Sequence, residues 1–212
     1  LLNEEEICKA LKKVKKAKFN SIDYETTGKK PDHPDHRIVT VSITSVYKEP
    51  SEDPYDDDDA ETISFPLSYK GVFDEEAQGN IAEALVDALD GDGLIIAHHH
   101  KFEQRWTSAI LGYDLPKDRA YCTMIAAHLI DERKKYCGLK FQAYLHFGLQ
   151  DYSKNIQKFL ETPEDNSGNA FNRVDDAPLP ELLEYNGFDT YFTYLLFKVQ
   201  QRYRKKIGRA HV

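Results

Sequence analysis

The spacing of apolar side chains changes along this chain, and the changes mark out its elements. Arg37 to Tyr47 alternates apolar with hydroxyl side chains and is β-branched at most positions, which predicts a strand. Ala17 to Glu25 predicts an earlier strand built on Phe19, Ile22 and Tyr24, with Gly28 punctuating its end. Glu61 to Leu67 predicts a third, reached through the acidic loop Lys48 to Ala60. From Glu75 to Leu89 the period becomes helical, with Ile81, Leu85 and Leu89 on one stripe and a stop at Gly91-Asp92-Gly93. Leu94 to Ala97 is a short apolar run of the kind buried on both faces of a sheet.

Helices follow. Lys101 to Leu111 carries Phe102, Trp106 and Ile110 on one stripe, with Gly112 as its C-cap. Thr123 to Asp131, Leu139 to Phe147 and Tyr152 to Leu160 predict three more. Glu161 to Pro180, rich in Pro, Gly, Asn and Asp, predicts a mobile loop. A long helix from Pro180 to Tyr203 closes the pattern, with Leu182, Tyr185, Phe188, Phe192, Leu195, Leu196 and Val199 along one face. No internal repeat is visible. A strand meander followed by helices alternating with short strands predicts an α/β fold, a mixed sheet with helices on its faces.

Length and composition narrow this picture. The 212 residues suit one buried domain spanning 1–212. No apolar run approaches the ~18 residues of a membrane span, so no membrane partner is expected. Glu4 to Glu6 stand where a signal peptide needs basic residues. Cys8, Cys122 and Cys137 are widely separated and form no CxxC pair, which argues against a disulfide framework or zinc ribbon. The expected setting is a reducing cytoplasm, of bacterial or phage type, or an organelle. The chain opens on Leu1 and ends in the basic stretch Arg202 to Arg209, so the expectation is one domain of a larger protein.

The net charge of -8 argues against a general nucleic-acid coat protein. Its distribution softens that objection. Asp53 and Asp56 to Asp59 concentrate negative charge in one segment, while basic residues gather at Lys12 to Lys18, Lys29 and Lys30, Arg133 to Lys135, and Lys198 to Arg209. An acidic site handles a polyanion when divalent metals neutralise it locally.

Three segments carry the candidate chemistry. Asp23 and Glu25 lie two apart on a strand, hence on one face at its C-terminal end. Tyr185 and Asp189 lie four apart on a helix, about one turn along one face. Glu103 falls near the start of a helix that follows a buried strand, where open sheets place ligand groups. Four clustered carboxylates repel one another unless cations join them. All-oxygen ligands suit Mg2+ or Mn2+, and two such ions ~4 Å apart stabilise an in-line phosphoryl displacement. The Tyr185 phenol could aim a metal-bound water. Each feature also has a structural reading: surface charge for Asp23 and Glu25, dipole compensation for Glu103, core packing for Tyr185. His98, His99 and His100 do not complete a zinc tetrahedron, since neighbours on an extended segment point oppositely and no HExxH exists. Their expected roles are a satisfied core histidine and rings lining a cleft.

At these residues the chain resembles the DEDD family of 3′→5′ exonucleases, in the subtype with Tyr in the third motif. It is similar to the proofreading domain of family-A DNA polymerases and to phage-type exonucleases. Asp23-Tyr24-Glu25, followed by Thr26-Thr27-Gly28, matches the first motif; His99-His100-Lys101-Phe102-Glu103 the second; Tyr185 to Asp189 the third. Thr123 to Asp131 and Leu139-Lys140 match the intervening helices of phage members. Three positions depart from the pattern: Glu103 replaces Asp, His99 replaces Asn, and Cys122 stands where Asp is usual.

The resemblance implies a ribonuclease-H-like mixed sheet of about five strands, the second antiparallel to the first. Asp23, Glu25, Glu103 and Asp189 would ligate two divalent ions, Mg2+ or Mn2+, and Tyr185 would position the water. Thr26, Thr27, His98 and His99 would receive the 3′ end of single-stranded or frayed DNA, releasing nucleoside 5′-monophosphates. A polymerase domain in the same chain is the implied partner. The alternatives are an exoribonuclease of the ribonuclease D kind and a catalytically inactive nucleic-acid-binding module. With the second strand antiparallel, Lys48 to Ala60 should hang at the sheet end away from Glu25, and Glu161 to Pro180 should flank the cleft.

Overall fold

The computed structural model describes residues 1–162 and 169–210. Among them, strands β1 (Phe19–Thr26), β2 (Ile38–Val46), β3 (Glu61–Pro66), β4 (Leu94–Ala97) and β5 (Ala120–Cys122) form one five-stranded sheet in the order β3-β2-β1-β4-β5. β1–β2 and β2–β3 are antiparallel, while β1–β4 and β4–β5 are parallel. The expected mixed α/β sheet, with its antiparallel second strand, is present.

Each face of the sheet is covered by helices, which the period-2 alternation of the strands makes necessary. Ile22 and Tyr24 of β1, Val41 and Ile43 of β2 and Phe65 of β3 face one core. There they meet Ile7, Leu11 and Val14 of α1 (Glu4–Val14), Ile81, Leu85 and Leu89 of α2 (Glu75–Leu89), and Trp106 of α3 (His100–Leu111). The opposite face is crossed by α7 (Leu179–Ala210), with α4 (Thr123–Ile130) and α5 (Leu139–Phe147) packed beside it.

The hydroxyls of Thr40, Ser42 and Thr44 in β2 lie on this second face, and they are buried. Ser42 Oγ and Thr44 Oγ1 each lie 2.9 Å from Thr190 Oγ1 of α7, and Thr44 also pairs with Thr62 of β3 at 2.8 Å. Every residue of β2 is buried, and each of its hydroxyls has a polar partner: Thr40 donates to Asn186 Oδ1 of α7 at 3.1 Å, and Ser45 donates to Asn20 Oδ1 of β1 at 2.7 Å. Gly187 permits the close approach: a Cβ there would lie 3.0 Å from Ser64 Oγ of β3. α7 is buried on more than its apolar stripe, since Asn186, Thr190, Thr193 and Lys198 are also inside.

Other elements differ from the sequence pattern. α1 was not anticipated, although Asn3 caps it by accepting from the Glu6 amide at 3.2 Å, and Ile7, Leu11 and Val14 follow helical spacing. β5 is three residues long, too short to show a period. The helix expected over Tyr152 to Leu160 is only α6, Gln157–Leu160. Asp151 accepts from both the amide (2.9 Å) and the hydroxyl (2.5 Å) of Ser153, a local turn that competes with helix formation. The loop Glu161 to Pro180 lies partly outside the described residues. No described helix is long and apolar enough to cross a membrane.

Register fixes where the acidic loop goes. Val46 pairs with Phe19, whereas Thr40 pairs with Glu25, so the chain leaves β2 at the far end of the sheet from Glu25. The Lys48 to Ala60 loop packs there against α7, as Lys198 donates to the Asp56 carbonyl at 2.5 Å.

Candidate active site

The parallel strands β1 and β4 end at the same edge of the sheet, where open α/β sheets present ligand groups. At this edge a register shift between Glu25 and Thr26 interrupts the β1–β2 ladder, a device that re-aims side chains beside sites. Asp23 and Glu25 point from β1 towards α7. Asp189 meets them from α7, and the three offer ligand oxygens all within 4.8 Å of one another. Three of the four expected carboxylates thus converge.

α7 also holds the set in place. Asn186 donates to Asp23 Oδ2 at 2.6 Å, while its own carbonyl accepts from Thr40 Oγ1 at 3.1 Å. Asp189 Oδ1 accepts from the Lys140 ammonium of α5 and from the Tyr152 hydroxyl. Asn186, Lys140 and Tyr152 had no role in the sequence reading. Asn186 lies within the third motif and Lys140 begins a helix, but nothing in their spacing says which groups they meet.

Tyr185 is buried in the same group. Its ring lies 4.3 Å from the Lys140 ammonium and 5.8 Å from the Tyr152 ring. Burial, with the charges of Asp189, Glu25 and Asp23, pushes its phenol far above the ordinary range, so it remains a neutral hydrogen-bonding group.

Glu103 stands a step away from the tight set. It is 2% exposed, and its Oε2 has no hydrogen-bond partner among the described residues. Trp106 and Thr107 bury α3. Thr107 Oγ1 joins the Tyr24 hydroxyl at 2.9 Å and donates to the Glu103 carbonyl at 2.7 Å. That link fastens the helix start to β1 and brings Glu103 within electrostatic reach of Asp23.

The charge balance is unfavourable as it stands. Burial first, then the neighbouring carboxylates, raises Asp23 and Glu25 well above the usual carboxylate range. Burial and the Asp23 charge do the same to Glu103. Lys140 lowers Asp23 and Glu25 but does not cancel these effects. An all-oxygen, over-charged set with an orphaned buried carboxylate oxygen nearby fits a hard divalent cation, Mg2+ or Mn2+. Asp23, Glu25 and Asp189 are the residues able to hold it, with Glu103 at its margin.

The remaining predicted residues lie at and just beyond the ends of β1 and β4. His98 Nδ1 is 2.9 Å from Thr123 Oγ1, and burial lowers its pKa to about 4, so it is neutral. His99 is exposed, its ring stacked 6.2 Å from that of Phe102. His100 opens α3. Thr26 and Thr27 are buried, and their carbonyls accept from Asn172 at 2.8 and 3.0 Å. Those bonds pin the described part of the 161–180 segment against the end of β1, as expected of a segment flanking the cleft. Cys122 ends β5, its Sγ 3.3 Å from the His98 carbonyl.

No family model matches the sequence, and no curated protein matches it. Solved structures do. NrnC from Brucella melitensis is 19% identical with a TM-score of 0.58, over 92% of this chain and 78% of that one. NrnC has also been solved with Mg2+ bound and with pGG bound, each 19% identical and over 91% of this chain and 76% of that one, with TM-scores of 0.58 and 0.57. The catalytic core of RRP6 from Trypanosoma brucei, in a mutant form, is 10% identical with a TM-score of 0.60, over 98% of this chain and 47% of that one. At such identities the likeness establishes a shared ribonuclease-H-like fold.

Proposed function

We propose that the protein is a divalent-metal-dependent exonuclease that shortens single-stranded nucleic acid from its 3′ end, releasing nucleoside 5′-monophosphates. The observation that carries this reading is the convergence of Asp23, Glu25 and Asp189 within 4.8 Å, with Tyr185 and the buried Glu103 beside them. Bound there, Mg2+ or Mn2+ supplies charge to the scissile phosphate and acidifies a water. Asn186, donating to Asp23 Oδ2, would hold that carboxylate in place as it ligates the ion. Tyr185, a neutral phenol among anions, orients the attacking water through its hydroxyl. His98 and His99 flank the terminal nucleotide, and the buried Thr26 and Thr27 shape the floor beneath its sugar.

The resemblance to proofreading and phage-type exonucleases suggests a single-stranded or frayed DNA end. The NrnC structure bound to pGG favours a second reading, an exoribonuclease acting on short oligonucleotides. Neither neighbour lends support to an attached polymerase domain or a proofreading role. Matched DNA and RNA oligomers labelled at the 5′ end, incubated with Mg2+ or Mn2+, test both readings. A ladder of products shortened one nucleotide at a time is expected, absent in Asp23→Ala. Full activity in Asp23→Ala, or cleavage without added metal after chelation, would overturn the assignment.

A further inference from the structure

We infer that Lys140 is a resident counter-cation of the acid cluster, which a divalent ion displaces from Asp189 and which then turns to the substrate's phosphate. This rests on the metal site proposed above and gives that site a built-in competitor.

Gly138 caps α5 from extended backbone, and buried Leu139 anchors its first residue. Those two placements swing Lys140 across to α7. Its ammonium bonds Asp189 Oδ1, an oxygen already accepting from Tyr152. The same ammonium lies 4.4 Å from the Tyr152 ring centroid and 4.3 Å from that of Tyr185. Aromatic faces hold a cation without consuming its N–H donors. An ammonium has three donors, and among the described residues only Asp189 takes one. The side chain keeps 31% exposure, so the spare donors have a path to a ligand in the cleft.

An ammonium and a divalent ion on one carboxylate repel strongly at contact distance. They therefore compete for Asp189, and metal affinity in the absence of substrate is held down by the lysine. Once displaced, the ammonium stays on the two rings while the metal neutralises Asp23 and Glu25, and a phosphate entering with the metal is the anion left to receive it. Metal and phosphate would then bind cooperatively through this side chain.

The measurement is Mn2+ binding by calorimetry at one pH and ionic strength, on wild type, Lys140→Met and Lys140→Gln. A Lys9→Met variant, changed on the exposed side of α1, controls for net charge. Lys140→Met and Lys140→Gln are expected to bind Mn2+ tighter by roughly tenfold, the scale of an ordinary coupling. A nucleoside 5′-monophosphate should raise the Mn2+ affinity of wild type more than that of either variant. Folded variants that bind Mn2+ no tighter than wild type overturn the exchange while leaving the metal site standing. No Mn2+ binding by folded wild type or by either folded variant removes the metal site and the exchange together. If both variants fail to fold, Lys140 is a structural ion-pair partner and the inference is wrong.

Discussion

α7 takes part in two lysine–aspartate pairs, one through Asp189 and one through Lys198, and they are built to opposite rules. Asp58 and Lys198 are both essentially inaccessible, at 0% and 2% side-chain exposure. Asp58 accepts from Lys198, from the Ser51 amide at 2.6 Å and from the Tyr194 hydroxyl at 2.8 Å. Lys198 spends a further donor on the Asp56 carbonyl at 2.5 Å. One charge meets one charge, and the oxygens of Asp58 are satisfied. Lys140 and Asp189 instead sit beside Asp23 and Glu25, so one ammonium faces three carboxylates, with Glu103 close to Asp23. A buried pair that is balanced and fully bonded is structural; one whose lysine is outnumbered marks a place for an outside cation.

The sharpest way to break the comparison is to make the same change in both aspartates and read activity. Asp189→Asn should lower nuclease turnover on the order of 10³-fold or more, as loss of a member of a catalytic unit does. Asp58→Asn, assayed below its melting temperature, should leave turnover per folded molecule unchanged. Comparable losses in both would erase the distinction.

Stability should move in the opposite sense. Asp58→Asn leaves Lys198 buried without a counter-charge and should cost about 3 to 5 kcal/mol in urea unfolding. Asp189→Asn relieves repulsion in the metal-free cluster and should stabilise by about 1 kcal/mol, the usual trade between stability and function. A destabilised Asp189→Asn would mean the two pairs obey one rule.

The two regions were unequally legible in the sequence. Asp23 with Glu25 and Tyr185 with Asp189 were readable because strand and helix periods fix a shared face without knowledge of the fold. Glu103 was placed at the right edge of the sheet but reaches the cluster only through electrostatics, a matter of helix position that spacing does not encode. Lys140 and Tyr152 acquire roles only where α5 and the turn before α6 cross α7. The run Asp56 to Asp59 reads as part of an acidic loop, yet Asp58 is buried against a lysine 140 residues away. Its polar sequence gave no sign of that, because burial of a charge depends on a distant partner. The alternation of β2 likewise says that Thr40, Ser42 and Thr44 share a face but not that α7 covers it.

Metal should favour one region alone. Mn2+ at about 100 times its dissociation constant should stabilise the folded protein by about 2.7 kcal/mol, visible as a raised melting temperature. Asp23→Ala should lose that shift, whereas the Asp58 region should not affect it. A metal-induced shift that survives in Asp23→Ala would place the ion elsewhere.

The smallest effect is in acid, and it belongs to the balanced pair. Burial pushes the Asp58 carboxyl up, but hydrogen bonds from Lys198, Ser51 and Tyr194, with the lysine's charge, bring it below the ordinary aspartate value. The folded state therefore binds the proton less readily than the unfolded chain does. A carboxylate depressed in this way stabilises the fold above its unfolded pKa, near 3.9, and loses that contribution as pH falls through the lower folded value. Melting temperature followed from pH 5 downward should fall less steeply in Asp58→Asn than in wild type, because the variant has no proton to take up there. Parallel curves would mean that the Asp58 carboxyl titrates alike in both states, and that its hydrogen bonds merely offset its burial.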